Sequence, residues 1–221
     1  MRRYFTIGIF VCCLVMSISA YGSPTQQQDS HEARLDQKID LRLSNATLMH
    51  ALSKLSVTHR VPIGIEYSAE DLNESKLVVE GGSLLEILDS IVIQEPLYRW
   101  QFVDGVINFV PAGKRDPFIE TLLNTFVSNY DPGKWTIKFQ LRDAIGATPE
   151  VKKVLQSYKM ELAKYRDYPY SDSIYTRKDV DLKLSNATVK QILNHIAKIS
   201  EHKSWAIGRR KGEDNVFSIW M

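Results

Sequence analysis

Three observations predict an α+β fold built from small two-layer sandwiches. An octapeptide occurs twice, apolar residues alternate at strand period through each copy, and each copy runs into a residue suited to capping a helix. Asp40-Leu41-Arg42-Leu43-Ser44-Asn45-Ala46-Thr47 returns 141 positions later as Asp181-Leu182-Lys183-Leu184-Ser185-Asn186-Ala187-Thr188, with seven of the eight positions identical. A match of that length marks a repeated unit, so architecture is read before chemistry. In each copy leucines alternate with charged residues, Ser-Asn breaks the alternation, and the threonine stands at a helix N-cap. Thr188 with Gln191 has capping-box spacing, in which hydroxyl and amide each satisfy an orphan backbone N–H.

Residues 1–22 read as a signal peptide. Arg2 and Arg3 precede an apolar run, Ile7 to Met16, that is short for a membrane span, and Ala20 and Gly22 are small residues at the cleavage positions. Both cysteines, Cys12 and Cys13, lie in this stretch, and Phe10-Val11 lacks the small residue of a lipidation site. Cleavage leaves a chain that uses neither disulfides nor thiolate metal sites. It also brings the net charge from +2 to 0, with 26 basic residues against 26 acidic. A neutral, exported chain that no longer spans a membrane lacks the basic footprint of a nucleic-acid binder. Residues 23–37, with Gln26-Gln27-Gln28, read as a flexible lead-in.

From residue 38 the elements follow in order. After the octapeptide, Leu48, Ala51, Leu52 and Leu55 form a helical stripe that ends near His59, before Pro62. Ile63, Ile65 and Tyr67 alternate as a strand. Leu77 and Val79 start a second unit; Gly81-Gly82 turns the chain, Ser83 and Glu86 make a capping box, and Leu84, Leu85, Leu88 and Ile91 supply the helix face. Tyr98, Trp100 and Phe102 share a strand face, Asp104-Gly105 turns a hairpin, and Ile107 and Phe109 return. Two helices on one face of a small sheet bury these stripes.

This pattern, with Ile63-Gly64-Ile65, the run Leu77-Val78-Val79-Glu80-Gly81-Gly82-Ser83-Leu84-Leu85-Glu86-Ile87-Leu88 and the Tyr98 to Val110 hairpin, resembles the short N-terminal domain of secretins and TonB-dependent receptors (STN). The resemblance covers about residues 38–112. It implies a periplasmic domain that acts by docking to other proteins, hence an envelope protein as partner. The 221 residues leave no room for a secretin pore or a receptor barrel, so the resemblance does not imply which partner is bound.

Residues 113–178 form a mixed connecting region. Phe118 to Val127 fits helix and strand equally. Trp135, Ile137, Phe139 and Leu141 alternate with polar residues and are expected as a strand, although Asp131-Pro132 is also a helix start. Thr148-Pro149-Glu150 opens a helix carrying Val151, Val154, Leu155, Tyr158 and Leu162, expected to run to about Tyr165. Tyr168, Tyr170 and Tyr175 fall in a linker.

The second copy, residues 179–221, repeats strand-helix-strand-strand: Val189, Ile192, Leu193, Ile196 and Ile199 form the helix face, Trp205 and Ile207 begin a strand, Arg209 to Asn215 is a polar turn, and Val216 to Met221 returns. It has too few strands to stand alone. It pairs either with the middle third or with the first half, and two lobes are expected, this unit packing with the middle region.

No catalytic, cofactor-binding or metal-binding residues are expected. His50 and His59 are nine apart, His195 and His202 seven apart, and no carboxylate cluster accompanies either pair. Ser200 to Lys203 matches Ser-x-x-Lys spacing by chance, since its partner motifs are missing. Arg209-Arg210-Lys211 is the one basic cluster, expected at a solvated hairpin turn. The sequence thus favours a non-enzymatic, exported protein–protein interaction protein. One alternative is a small-ligand or peptidoglycan-binding module using Trp100, Trp205 and the linker tyrosines; an exported hydrolase or inhibitor, needing His50, His59 and an acid in one pocket, is the other.

Overall fold

The computed structural model describes residues 34–67, 76–135, 138–163, 180–200, 202–210 and 212–221. The signal segment, most of the lead-in and the linker tyrosines lie outside the described residues. In chain order the elements are β1 (Lys38–Ile39), β2 (Leu43–Ala46), α1 (Leu48–Thr58), β3 (Ile63–Tyr67), β4 (Leu77–Val79), β5 (Gly82–Ser83), α2 (Leu84–Gln94), β6 (Tyr98–Val103), β7 (Val106–Pro111), α3 (Pro117–Asn124), β8 (Phe126–Tyr130), β9 (Lys134–Trp135), α4 (Lys138–Ala147), α5 (Pro149–Tyr158), β10 (Glu161–Leu162), β11 (Val180–Asp181), β12 (Leu184–Thr188), α6 (Val189–Ile199), β13 (Ser204–Arg210) and β14 (Glu213–Trp220). The fold is α+β, as the repeat and its alternation predict.

Both octapeptides fold the same way. β2 pairs antiparallel with β4 and β12 with β8, while the short β1 and β11 pair with β5 and β9. Between the two ladders of each copy the chain turns one leucine inward, Leu41 in the first and Leu182 in the second, and both are buried. Asn45 and Asn186 take left-handed backbone conformations, φ +57° and +52°. Asparagine enters that region far more readily than most residues, which explains its presence in both copies. Thr47 and Thr188 then cap α1 and α6 through the amides of His50 and Gln191, and Ser83 caps α2 with a full capping box to Glu86.

A six-stranded sheet, in the order β10-β14-β13-β3-β7-β6, runs through the whole molecule. β3 is parallel to β7 on one side and to β13 on the other. The C-terminal hairpin therefore extends the sheet of the first half, which corrects the expected separation into two lobes; its helix α6 nonetheless packs with the middle region. Strand alternation divides the side chains between two cores. Ile63, Ile65, Ile107, Phe109 and Ala206 meet α1 and α2 on one face. Trp205, Ile207, Phe217 and Ile219 meet α3 and α6 on the other.

The seam between the halves is built from glycines. Opposite Trp205 in the β3–β13 register lies Gly64, and opposite Tyr67 lies Gly208. A Cβ on Gly64 would stand 2.2 Å from the Trp205 ring, and one on Gly208 would stand 2.5 Å from the Tyr67 ring. Each parallel strand thus offers a bare backbone to the other's aromatic ring, on opposite faces of the sheet.

Several elements of the middle region correct the sequence reading. Of the expected strand Trp135 to Leu141, Trp135 alone is extended among the described residues, in β9 together with Lys134; Thr136 and Ile137 lie outside the described residues, and α4 starts at Lys138. Leu141 and Ile145, four apart, both enter the second core, so a helical stripe outweighs the local alternation. The ambiguous run Phe118 to Val127 divides into α3 and the start of β8. α5 ends at Tyr158 rather than near Tyr165, because Lys159 adopts a left-handed conformation and the chain turns back to pair β10 with β14. Thr148 precedes α5 without capping it through its side chain, since its hydroxyl donates to the Ile145 carbonyl. Arg209 and Arg210 belong to β13, not to the turn.

Candidate functional site

The candidate chemical residues are placed apart or given structural work. His50 is exposed and His59 half-buried at the end of α1. Among the described residues no three His, Cys, Asp or Glu side chains are grouped to hold a metal ion. Ser200 ends α6: its hydroxyl donates to the Ala197 carbonyl and accepts from the Lys203 amide, while the Lys203 ammonium donates to the Lys198 carbonyl. Serine and lysine are thus committed to finishing a helix. Trp205 is buried, and its indole donates to Asn194 at 2.8 Å, so it does not offer the stacking face that the ligand-binding alternative gives it; the linker tyrosines of that alternative lie outside the described residues. Trp100 makes the matching bond, 2.9 Å to Asp89. Cap, partner and indole keep one spacing in both units, as Ser83, Asp89 and Trp100 in the first and as Thr188, Asn194 and Trp205 in the second. Gly64 occupies the indole's place after Thr47, where no ring would fit beneath Trp205.

Two charged clusters join the segments, and the sequence reading does not anticipate them. Glu66 on β3 is almost fully buried and accepts two bonds from the Arg115 guanidinium, both 2.9 Å. Lys190 of α6 lies 3.9 Å away, and Arg115 also holds Glu120 at 2.9 Å. Burial pushes the Glu66 carboxyl above its ordinary range, and the Arg115 charge and bonds, then Lys190, only partly offset it. The signal in the sequence is a lone acid inside the otherwise apolar run Ile63-Gly64-Ile65-Glu66-Tyr67.

Asp116 caps α3 through the amides of Phe118 and Ile119 and pairs with Arg209, whose cation also lies 5.6 Å from the Phe118 ring centre. Burial raises the proton affinity of the Asp116 carboxyl, but the Arg209 bond and the helix amides outweigh it and hold the pKa below its ordinary value. The folded state then binds this proton less tightly than the unfolded chain, so the contribution to stability is present above the ordinary carboxylate range, about pH 4, and is lost as pH falls through the depressed value. Asp116→Asn is expected to be less stable than wild type at neutral pH, with the difference closing in acid. Urea midpoints across pH test this, and a constant difference contradicts it.

The edge strands of the two-stranded ladders and of the six-stranded sheet differ in how they are finished. The polar groups of Val78 on β4 are both taken by the Gln94 carboxamide, at 2.9 and 2.8 Å, as a neighbouring strand would take them. On β8 the Glu150 carboxylate takes the Ser128 amide and hydroxyl. The short strand β10 covers β14 at the far end of the sheet. At the near end, β6 is the last strand among the described residues. Asp104 and Gly105 have φ of +53° and +77°, a turn that closes Val103 and Val106 as a hydrogen-bonded pair. Alternation from there gives β7 the peptide groups of Gln101 and Arg99 and turns those of Trp100 outward. Among the described residues, Trp100 has no counterpart of Gln94 or Glu150 across its peptide groups.

Outward peptide groups on an edge strand are a template for another chain. It can take a partner without any catalytic group. No helix among the described residues is long and apolar enough to cross a membrane. No family model matches the chain, and no curated protein or solved structure matches it.

Proposed function

We propose that this chain is an exported, non-enzymatic docking protein of the bacterial envelope that binds another protein along the edge of its central sheet. The observation that carries this reading is the contrast between edges: β4 and β8 are closed by side chains and β14 by β10, while on β6, the last strand of the sheet, the outward peptide groups of Trp100 have no such closure among the described residues. Natural edge strands are usually short, charged, kinked or covered, so an edge left without closure is kept for a partner. The signal-like segment that ends at Gly22 supports an envelope location, and the resemblance of the stretch 38–112 to a periplasmic docking domain supports the mode of action.

Cross-linking in an envelope fraction tests the proposal. With a photo-reactive group at Arg99, a defined envelope protein should be captured. The same group on the solvent side of α5, at Lys153, should capture none. Equal labelling from both positions, or none from either, overturns docking at this edge.

A further inference from the structure

The surroundings of β6 differ sharply on its two faces. On one face α2 runs alongside, fixed by the bond from the Trp100 indole to Asp89. Helical spacing puts Leu85, Val92 and Ile93 at i−4, i+3 and i+4 from Asp89, so they line the flank and crest above this strand. Leu85 and Ile93 are exposed, Ile93 at 78%, and Leu97, just before the strand, is exposed at 58%. Large aliphatic side chains so exposed, gathered beside one strand edge, call for apolar cover. On the other face lies α6, where Asn194 donates to the Val103 carbonyl and the Lys198 chain reaches over the Asp104–Gly105 turn, 3.5 Å from where a Cβ on Gly105 would stand. Arg99 is exposed on this face, and its charge is felt at Lys190. Arg99 and Lys198 outnumber the single acid of the turn, Asp104.

From this asymmetry, and resting on the docking function proposed above, we infer that the β6 edge takes one extended segment of another protein, aliphatic at alternate residues and acidic at those between. Added as a seventh strand, such a segment pairs its backbone with the outward peptide groups of Trp100. Its side chains alternate between the faces. Those on the α2 side cover Leu85, Ile93 and the Trp100 ring, and those on the α6 side meet Arg99 and Lys198. The apolar contacts supply affinity, and the charges set which segments are accepted.

Three labelled peptides probe this on the full mature chain by fluorescence anisotropy: one alternating valine with glutamate, one alternating valine with lysine, and the glutamate peptide with its central valine replaced by proline. The glutamate peptide is expected to bind about tenfold or more tightly than the lysine peptide, a difference that shrinks as salt is raised, and the proline peptide is expected to lose binding. Arg99→Glu should invert the order of the first two peptides. Leu85→Glu and Ile93→Glu, both on exposed positions of α2, should weaken both peptides. Thermal melts of each variant confirm that it remains folded.

Equal binding of the glutamate and lysine peptides that Arg99→Glu leaves unchanged overturns the acidic preference. Peptide binding that the α2 variants and the proline leave unchanged overturns the placement at this edge. If no peptide binds while the Arg99 photo-probe still captures an envelope protein, the extended-segment partner is wrong and docking stands; if that capture also fails, docking itself is wrong. A dimer of this chain that Ile93→Glu dissociates would show that a second copy is the occupant, against the inference.

Discussion

Gly64→Ala is expected to destabilise the fold by about 3 kcal/mol, at the upper end for overpacking a core. The added methyl would stand 2.2 Å from Cε2 of Trp205. The ring has little room to yield, since it is buried in the second core and its indole nitrogen is fixed by Asn194. Moving β3 away from β13 would break the parallel pairing that joins the two halves. Trp205→Leu alone should cost a comparable amount, because it leaves a void and an unpartnered Asn194 carbonyl. The double variant Gly64→Ala with Trp205→Leu should be more stable than the sum of the single losses predicts, because the smaller side chain relieves the clash. Urea unfolding of the three variants decides the matter. A Gly64→Ala protein within about 0.5 kcal/mol of wild type, the range of an ordinary surface change, would show that the seam is not packed as described.

Glu66→Ala is the second change of large expected effect, at about 3–5 kcal/mol. The loss comes less from the missing attraction than from the cations left behind. Arg115 and Lys190 keep only 21% and 15% of their side-chain exposure, so without Glu66 the Lys190 charge loses its acid beside a guanidinium that keeps only Glu120, with little water to screen them. Glu66→Ala combined with Lys190→Met should recover part of the loss. If the double variant is no more stable than Glu66→Ala alone, the cost lies in packing and not in the stranded charge. The cluster ties β3, the segment before α3, and α6, which belong to three separate stretches of sequence. Its loss should therefore loosen both faces of the sheet together, and hydrogen exchange in α1 and α6 should rise in parallel.

What can be read from the sequence follows from how local its causes are. The octapeptide, the three caps and the Asp104-Gly105 hairpin depend on near neighbours in the chain, and each appears where its residues predict. Helix α4 escapes a local reading because Trp135, Ile137, Phe139 and Leu141 alternate, while the helix is decided by Leu141 and Ile145 reaching a distant core. β10 is read as the end of α5 because nothing near Leu162 announces that β14, in the final hairpin, will pair with it. The shared sheet does have a trace in the sequence: an indole follows the caps Ser83 and Thr188 at one fixed spacing, and after Thr47 that place holds Gly64. A missing ring is informative only when the ring that replaces it is known, and Trp205 lies in the other copy of the repeat. The edge closures by Gln94 and Glu150 leave no trace, since a glutamine or glutamate on a helix reads as solvated until its strand is beside it.

The pairing of β3 with β13 also sets a timetable. Contacts between residues so far apart in sequence form slowly, since most of the chain must be closed into a loop before they gain anything. During synthesis the first half can collapse around α1 and α2, yet one flank of β3 must wait for the final hairpin. Until then Ile63–Tyr67 is exposed, open to whatever strand arrives first. At Gly64 that flank carries no side chain over the neighbouring strand, which leaves a gap on one face of the sheet. Trp205, with a ring large enough to fill that gap, completes the sheet only when the last hairpin of the chain has been made.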